Sequence, residues 1–274
     1  MDYSANNIYS TKILGKSTMY IKKDENKVLE EEIKIDSSFN LLVTTFLLGT
    51  SIYVVAQLIG IFLTTEAFGP IIEGGNGSKL FLTDLMFLIL SLVAIFFLTK
   101  GKLTHYGLNK PIGEVKWGYI IGLGLLIGSI ATILIIVTGA NGNPALAGLG
   151  IREKIVLIWF LASIAEEVFV RGLLQGYLNP LEGTKISIGK QNLSYPVVFS
   201  AIFFGSIHLP LVFSGADLIT IFIIFSMTIT LGFFTASLRE KYRSILPSIG
   251  IHITTNIGGT MLGPIIYAIL VGTI

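Results

Sequence analysis

The sequence contains no cysteine and little charge. Its 274 residues include 19 Lys and Arg, 17 Asp and Glu, and three His, and charged residues make up only 13% of the chain. Without cysteine there is no disulfide, no thiolate metal site and no cysteine nucleophile, so any hydrolytic chemistry must use carboxylate, imidazole or hydroxyl groups. The net charge of +2 is also too small to indicate a nucleic-acid partner.

Hydrophobic residues make up 52% of the chain, a composition typical of polytopic membrane proteins and not of soluble enzymes. They occur in runs close to the ~20 residues that a membrane-spanning helix needs. The runs cover 39–64, 80–99, 117–139, 155–178, 194–214, 216–238, 245–260 and 261–274. We therefore predict an all-α fold, a polytopic membrane bundle of about eight transmembrane helices. Gly258, Gly259, Gly263 and Pro264 separate the last two runs, so these are two tilted helices or one long kinked helix, and the count falls to seven in the second case.

The distribution of positive charge predicts the orientation of these helices. Fifteen Lys and Arg residues lie in 1–38, 100–116, 179–193 and 239–243, whereas three lie in the loops of the opposite side. Cytosolic loops of membrane proteins are enriched in Lys and Arg. We expect 1–38 to be a cytosolic N-terminal tail, with an interfacial helix near 27–35, and 39–274 to be the transmembrane domain. Eight spans would return the C-terminus to the cytosol, giving an integral, multi-pass protein with both termini cytosolic.

Several polar features outside the main spans have ordinary interpretations. The Gly- and Ala-rich loop 138–150 suits a flexible or re-entrant segment near a site, although an ordinary loop fits equally well. The polar insert 179–192 is an ordinary connector or a place for substrate contacts. Asp84, close to Lys79 at a span end, is expected to be solvated or to cap a helix, and His105 is expected at the surface.

Two glutamates and an arginine lie inside the fourth apolar run. Charged groups at membrane depth are costly, so Glu166, Glu167 and Arg171 indicate a functional site. On a helix, Glu167 and Arg171 are four residues apart and share a face, whereas Glu166 points about 100° away from Glu167. We assign Glu167 and Arg171 to a structural ion pair and leave Glu166 as the free carboxylate.

Further polar groups occur in two other apolar runs. His208 lies in one, and His252 and Asn256 lie four residues apart on one helical face of another. Each alone is explained by hydrogen bonding between helices. Together with Glu166, however, they place acid, base and amide groups at membrane depth on three helices, which indicates a catalytic or ligand-binding site.

Amide hydrolysis without a protein nucleophile requires a base that activates water and donors for the developing oxyanion. Glu166 is the candidate base, His208 would position the water or shuttle the proton, and His252 with Asn256 would form the oxyanion hole. One Glu and two His are also a zinc ligand set. Cofactor-free hydrolysis and a zinc metallopeptidase therefore remain open, although the HExxH pattern is absent.

These residues form three motifs that resemble those of the CAAX protease and bacteriocin-processing family (CPBP, or Abi) of intramembrane proteases. The family pattern is EExxxR, then FxxxH, then HxxxN or HxxxB. In this sequence the motifs begin at Glu166, Phe204 and His252, in that order, within a core at about 155–257. One branch of the family, the type II CAAX prenyl endopeptidases, removes the last three residues after a prenylated cysteine.

The resemblance implies an eight-helix, glutamate-dependent endopeptidase with no cofactor. It assigns water activation to Glu166 and His208, and the oxyanion hole to His252 and Asn256. Its partners would be membrane lipid and a lipidated, prenylated peptide or protein C-terminus. Other members are tied to bacteriocin immunity or maturation, or act as scaffolds, so a non-enzymatic immunity or scaffold protein is a further alternative.

Overall fold

The computed structural model describes residues 23–64 and 76–272 of the chain. Contacts divide the chain into two units, Met1–Leu41 and Leu42–Ile274. In the first unit, the positions expected to form an interfacial helix belong to a helix that begins at Lys23, and residues 1–22 of the expected tail lie outside the described residues.

The described residues are predominantly helical, as predicted. The helical runs are α1 (Lys23–Thr64), α2 (Asn76–Thr99), α3 (Trp117–Thr138), α4 (151–177), α5 (Tyr195–Ser206), α6 (Leu218–Tyr242) and α7 (Leu246–Leu270). Short 3₁₀ turns occur at Leu103–Tyr106, Pro144–Leu146, Asn179–Leu181 and Leu209–Ser214, and the strands β1 (Lys185–Ile188) and β2 (Gln191–Ser194) pair as an antiparallel hairpin. This hairpin is a small departure from the all-α expectation.

The expected number of eight spans is not confirmed. Six helices of the described residues are long and apolar enough to cross a membrane. The runs predicted at 245–260 and 261–274 are a single helical run, α7, within which Gly258–Leu262 forms π-helical turns. The prediction of a cytosolic C-terminus required two separate spans in this region. One continuous helical run no longer supports that prediction.

The glycines that suggested a break in α7 serve instead to pack it against α3. A Cβ atom added to Gly128 would lie 1.9 Å from the carbonyl oxygen of Thr255, and one added to Gly258 would lie 2.4 Å from that of Leu125. The Thr132 hydroxyl also donates to the Gly259 carbonyl at 2.6 Å. Small residues allow helix backbones to approach this closely in membrane proteins. The glycines therefore mark a helix contact and not a turn.

The loops rich in Lys and Arg meet at one end of the bundle. Ile112 N–H donates to the Tyr242 carbonyl, and Ile245 N–H donates to the Gly107 carbonyl, both at 2.9 Å. The Asn179 amide donates to the His105 carbonyl at 3.0 Å. These bonds join 100–116, 179–193 and 239–243, which the charge count had assigned to the same side. His105 is exposed there, as expected.

The loop 138–150 is tied to the start of α6. The carboxylate of Asp217 accepts the N–H of Asn141 at 2.6 Å and that of Thr220 at 2.8 Å. These hydrogen bonds, first that from Asn141, hold the pKa of Asp217 below its ordinary value. Leu146 and Leu149 pack with Leu157. This loop is thus an anchored connector between α3 and α4.

The polar insert 179–192 is likewise anchored. Glu182 forms ion pairs with Arg239, at 3.3 Å between Oε1 and Nη1, and with Arg243. The Ser194 hydroxyl donates to the carboxylate of Glu240, and its Oγ also caps α5 by accepting the N–H of Val197. The hairpin is therefore held against the end of α6, as expected for a connector.

A column of aromatic rings fixes the helices that carry the polar residues. Tyr53 of α1 stacks on Phe87 of α2, which stacks on Phe169 of α4 with ring centroids 5.2 Å apart. Phe169 meets the edge of Phe203 of α5 at 5.9 Å. Each such ring pair adds about 0.5–1.5 kcal/mol beyond the apolar area it buries. The column sets α4 between α2 and α5.

Candidate active site

The central helix α4 has an irregular backbone around its two glutamates. A short α-helical segment, Ser163–Glu167, lies between the π-helical stretches Lys154–Ala162 and Val168–Leu174. π-helical turns rotate side chains relative to a regular helix and are frequent at functional sites. The acidic pair thus occupies the one α-helical segment between two distorted ones.

Glu167 and Arg171 form a buried ion pair. Arg171 Nη1 lies 3.3 Å from Glu167 Oε1, and both side chains are completely buried. The Arg171 guanidinium also lies over the ring of Phe204, with Cζ 4.3 Å from the ring centroid. A cation over a desolvated aromatic face is worth about 2 kcal/mol. The arginine therefore binds α4 to α5 as well as pairing with Glu167.

Glu167 also binds His252, a contact that sequence spacing did not reveal. Nδ1 of His252 lies 2.9 Å from Glu167 Oε1. Because a carboxylate only accepts, Nδ1 carries the hydrogen, and Nε2 is left on the opposite side of the ring. Nε2 lies 3.8 Å from Glu166 Oε2, and the Glu166 side chain is 16% exposed. Glu166 is therefore the accessible carboxylate, and Glu167 sets the orientation of the imidazole that faces it.

His208 lies where α5 ends. The predicted run 194–214 bends here, since α5 stops at Ser206 and a 3₁₀ turn begins at Leu209. His208 Nδ1 donates to the Phe204 carbonyl at 2.8 Å, which leaves Nε2 of the neutral ring as an acceptor. The regular helix of this run therefore ends shortly before Pro210.

The ring of Phe204 holds the two imidazoles in place. Its centroid lies 5.2 Å from that of His208 and 5.5 Å from that of His252, both in edge-on arrangements. Phe204 itself is completely buried. Residues of three separate helices, α4, α5 and α7, thus converge on this ring.

Asn256 makes contacts other than those expected of an oxyanion donor. Its Nδ2 donates to the Ile158 carbonyl at 2.9 Å and to the Ser163 hydroxyl at 3.0 Å. An amide nitrogen carries two hydrogens, so both are used in holding α7 against α4. One of these bonds must be released before Asn256 can donate to a substrate.

The position of Asp84 differs from the one predicted from the sequence. We expected a solvated or capping carboxylate, but Asp84 lies inside α2 with only 5% of its surface exposed. Among the described residues, its Oδ2 has no hydrogen-bond partner. Helix α2 packs against the segment Ser163–Glu167, so Asp84 lies on a neighbour of the helical segment that carries Glu166. The sequence did hold a signal, because Asp84 is the single acid of the apolar run 80–99.

Tyr53 is a second neighbour that the sequence did not single out. Its hydroxyl donates to the Ile207 carbonyl at 3.1 Å, directly before His208, and its side chain interacts electrostatically with Glu166. The chain contains ten tyrosines, and nothing in the sequence distinguishes this one. Tyr53 connects α1 to the end of α5.

A zinc ligand set would require several His, Asp or Glu side chains around one point. Over residues 23–64 and 76–272, no group of three or more such side chains is arranged to hold a metal ion. The Nδ1 atoms of His208 and His252 face a carbonyl and Glu167.

The apolar helices and the buried polar cluster define an integral membrane protein with a candidate catalytic site. Residues 152–258 match the family model described as type II CAAX prenyl endopeptidase Rce1-like. The matched segment contains all three motifs and is similar to CAAX-type intramembrane proteases, so the resemblance that the motifs carry is confirmed. No curated protein and no solved structure matches the chain.

Proposed function

We propose that the protein is a glutamate-dependent intramembrane endopeptidase that removes the C-terminal tripeptide from a prenylated CAAX-type substrate. The observation that supports this most directly is the contrast between the two glutamates. Glu167 is completely buried between Arg171 and His252, whereas Glu166 is partly exposed beside the free edge of His252. One acid is structural and the other is available to water.

In the proposed reaction, Glu166 accepts a proton from water while the water oxygen forms a bond to the scissile carbonyl carbon. The C–N bond then breaks as Glu166 returns that proton to the leaving amine. His208 Nε2, an acceptor in the neutral ring, positions the same water. His252 donates to the oxyanion from Nε2 when its ring carries both protons, and Asn256 supplies the second donor once it leaves α4.

We propose that the end of the bundle rich in Lys and Arg faces the cytosol, where prenylated proteins are made. Hydrogen bonds among 100–116, 179–193 and 239–243 support a common side for these loops. A prenyl chain gains about 0.8 kcal/mol per CH₂ buried in the membrane. The lipid would thus hold the substrate at the bilayer while its polar C-terminus reaches Glu166 from the cytosolic side.

The direct test uses purified protein in lipid with a prenylated CAAX peptide and the same peptide without the prenyl group. We expect loss of the last three residues from the prenylated peptide alone, measured by mass spectrometry. Cleavage of neither peptide would contradict the proposal and favour an immunity or scaffold role. The zinc alternative predicts that a strong chelator stops cleavage and that added zinc restores it.

The contacts of Asn256 give a second test. Asn256→Ala should lower kcat by about 10²–10³-fold, the loss expected for one oxyanion donor. Ser163→Ala removes one of its resting partners, frees an N–H, and should change kcat by less than about threefold, since Ser163 donates nothing to the substrate. Equal losses in the two variants, tracking their unfolding temperatures, would show that Asn256 only holds α7 to α4.

A further inference from the structure

Asp84 is a buried carboxyl with one oxygen that has no hydrogen-bond partner among the described residues. It is 5% exposed, and its Oδ2 has no hydrogen bond among the described residues. Removing a carboxyl from water without a partner costs several kcal/mol if it is charged and less if it carries a proton. A residue that only filled space in α2 would not need this group, so its presence in an apolar helix calls for a function.

The position of Asp84 connects it to the candidate base. Helix α2 packs against the α4 segment Ser163–Glu167. This packing brings Asp84 close enough for a charge on it to act on Glu166, as charges on His252, Glu167 and Arg171 also would. Tyr53 of α1 is close enough for the charge of Glu166 to act on its hydroxyl. Each of the other neighbours already has a role, in the proposed reaction, in the buried ion pair or in the hydrogen bond to the end of α5. Among these neighbours only Asp84 has none.

We propose that Asp84 is a positioning residue of this site, a second carboxyl that acts on the reaction through Glu166 and does not touch the substrate. Two neighbouring carboxyls whose charges interact hold a proton more readily together than either does alone. When Asp84 is ionised, Glu166 takes a proton from water more readily, because that transfer removes one of two negative charges that repel each other. This inference rests on the proposed function, since it assigns Asp84 a part in the same hydrolysis.

The first experiment separates kcat from KM for cleavage of the prenylated peptide. Asp84→Asn keeps the shape of the side chain but can neither carry a negative charge nor exchange an acid proton. We expect kcat to fall by about tenfold or more while KM stays within about twofold, because the change affects proton transfer and not substrate binding. A kcat within twofold of wild type would overturn the proposal.

Ser91→Ala is the matched control for burial. Ser91 lies on the same helix, is completely buried, and has an Oγ without a hydrogen-bond partner among the residues that the structure describes. Its charge-free side chain has no means of acting on Glu166 at a distance. We expect Ser91→Ala to leave kcat unchanged. A loss equal to that of Asp84→Asn would show that any altered polar group in α2 disturbs the site, and would overturn the proposal.

The second experiment does not depend on activity. Unfolding temperatures are measured for Asp84→Asn, Glu166→Gln and the double variant. If the two carboxyls interact, each single change relieves the same repulsion, so the rise in the double variant should fall short of the sum by about 2 °C or more. Additive shifts would overturn the proposal. This comparison of unfolding temperatures tests whether Asp84 and Glu166 interact even if the wild-type protein cleaves no prenylated peptide. The lack of cleavage would contradict the proposed function alone.

Discussion

Glu166→Gln is expected to abolish detectable peptide cleavage while the protein stays folded. The amide has nearly the same shape as the carboxyl group but cannot take a proton from water, and general base catalysis contributes about 10²–10⁴-fold to such a reaction. Burial should not be disturbed, because Glu166 is the partly exposed acid of the pair. The measurement is kcat for the prenylated peptide, with the unfolding temperature as the test of folding.

The matched control is Glu114→Gln, the same chemical change at an exposed position of the loop 100–116, which should leave kcat unchanged. His208→Ala should also abolish cleavage. Groups that act as one unit lose their effect together, so Glu166→Gln combined with His208→Ala should be no slower than the slower single variant. Full activity of Glu166→Gln would eliminate this glutamate as the base and the proposed mechanism with it.

Arg171→Ala is expected to destabilise the protein by about 3–5 kcal/mol, the cost of removing one partner of a buried ion pair. The substitution leaves the carboxylate of Glu167 completely buried with His252 as its remaining partner. It also removes the cation from the ring of Phe204. We expect a lower yield of folded protein and a lower unfolding temperature, measured by thermal or chemical denaturation in detergent.

A second arginine provides the comparison. Arg243 pairs with Glu182 at the end of the bundle, and its side chain is 52% exposed. Exposed ion pairs contribute about 0–1 kcal/mol, so Arg243→Ala should have a small effect. Similar losses of stability in the two variants would mean that burial of the Arg171 pair is unimportant, contrary to what the structure indicates.

The elements of the fold followed from hydropathy, but the last span did not. Apolar runs predicted the helices near their observed bounds because membrane insertion depends on local composition and length. The glycines near Gly258 and Gly263 suggested that the last apolar stretch is divided into two helices. In the structure they allow α7 to approach α3 closely. Whether a glycine ends a helix or packs it depends on what faces it, and that partner lies more than a hundred residues away.

Some residues of the candidate site were likewise identified from the sequence, and others only from the structure. Glu166, His208 and His252 could be identified from the sequence because polar groups are costly in apolar runs. Asp84 was instead predicted to be solvated or to cap a helix, and Tyr53 was not singled out. Asp84 is near a lysine in the chain but inside the protein in space. Spacing paired Glu167 with Arg171, yet only the crossing of α4 and α7 shows that His252 binds the same carboxylate oxygen.

The sequence by itself determined that this is a helical membrane protein and which charged groups it carries at membrane depth, because the cost of burying each group is a property of its own span. Only the tertiary structure decided which of the acids is accessible, which histidine faces Glu166, and that both N–H groups of Asn256 are engaged. These are contacts between side chains of different helices. Helix packing sets their distances, and no local pattern in the chain encodes them.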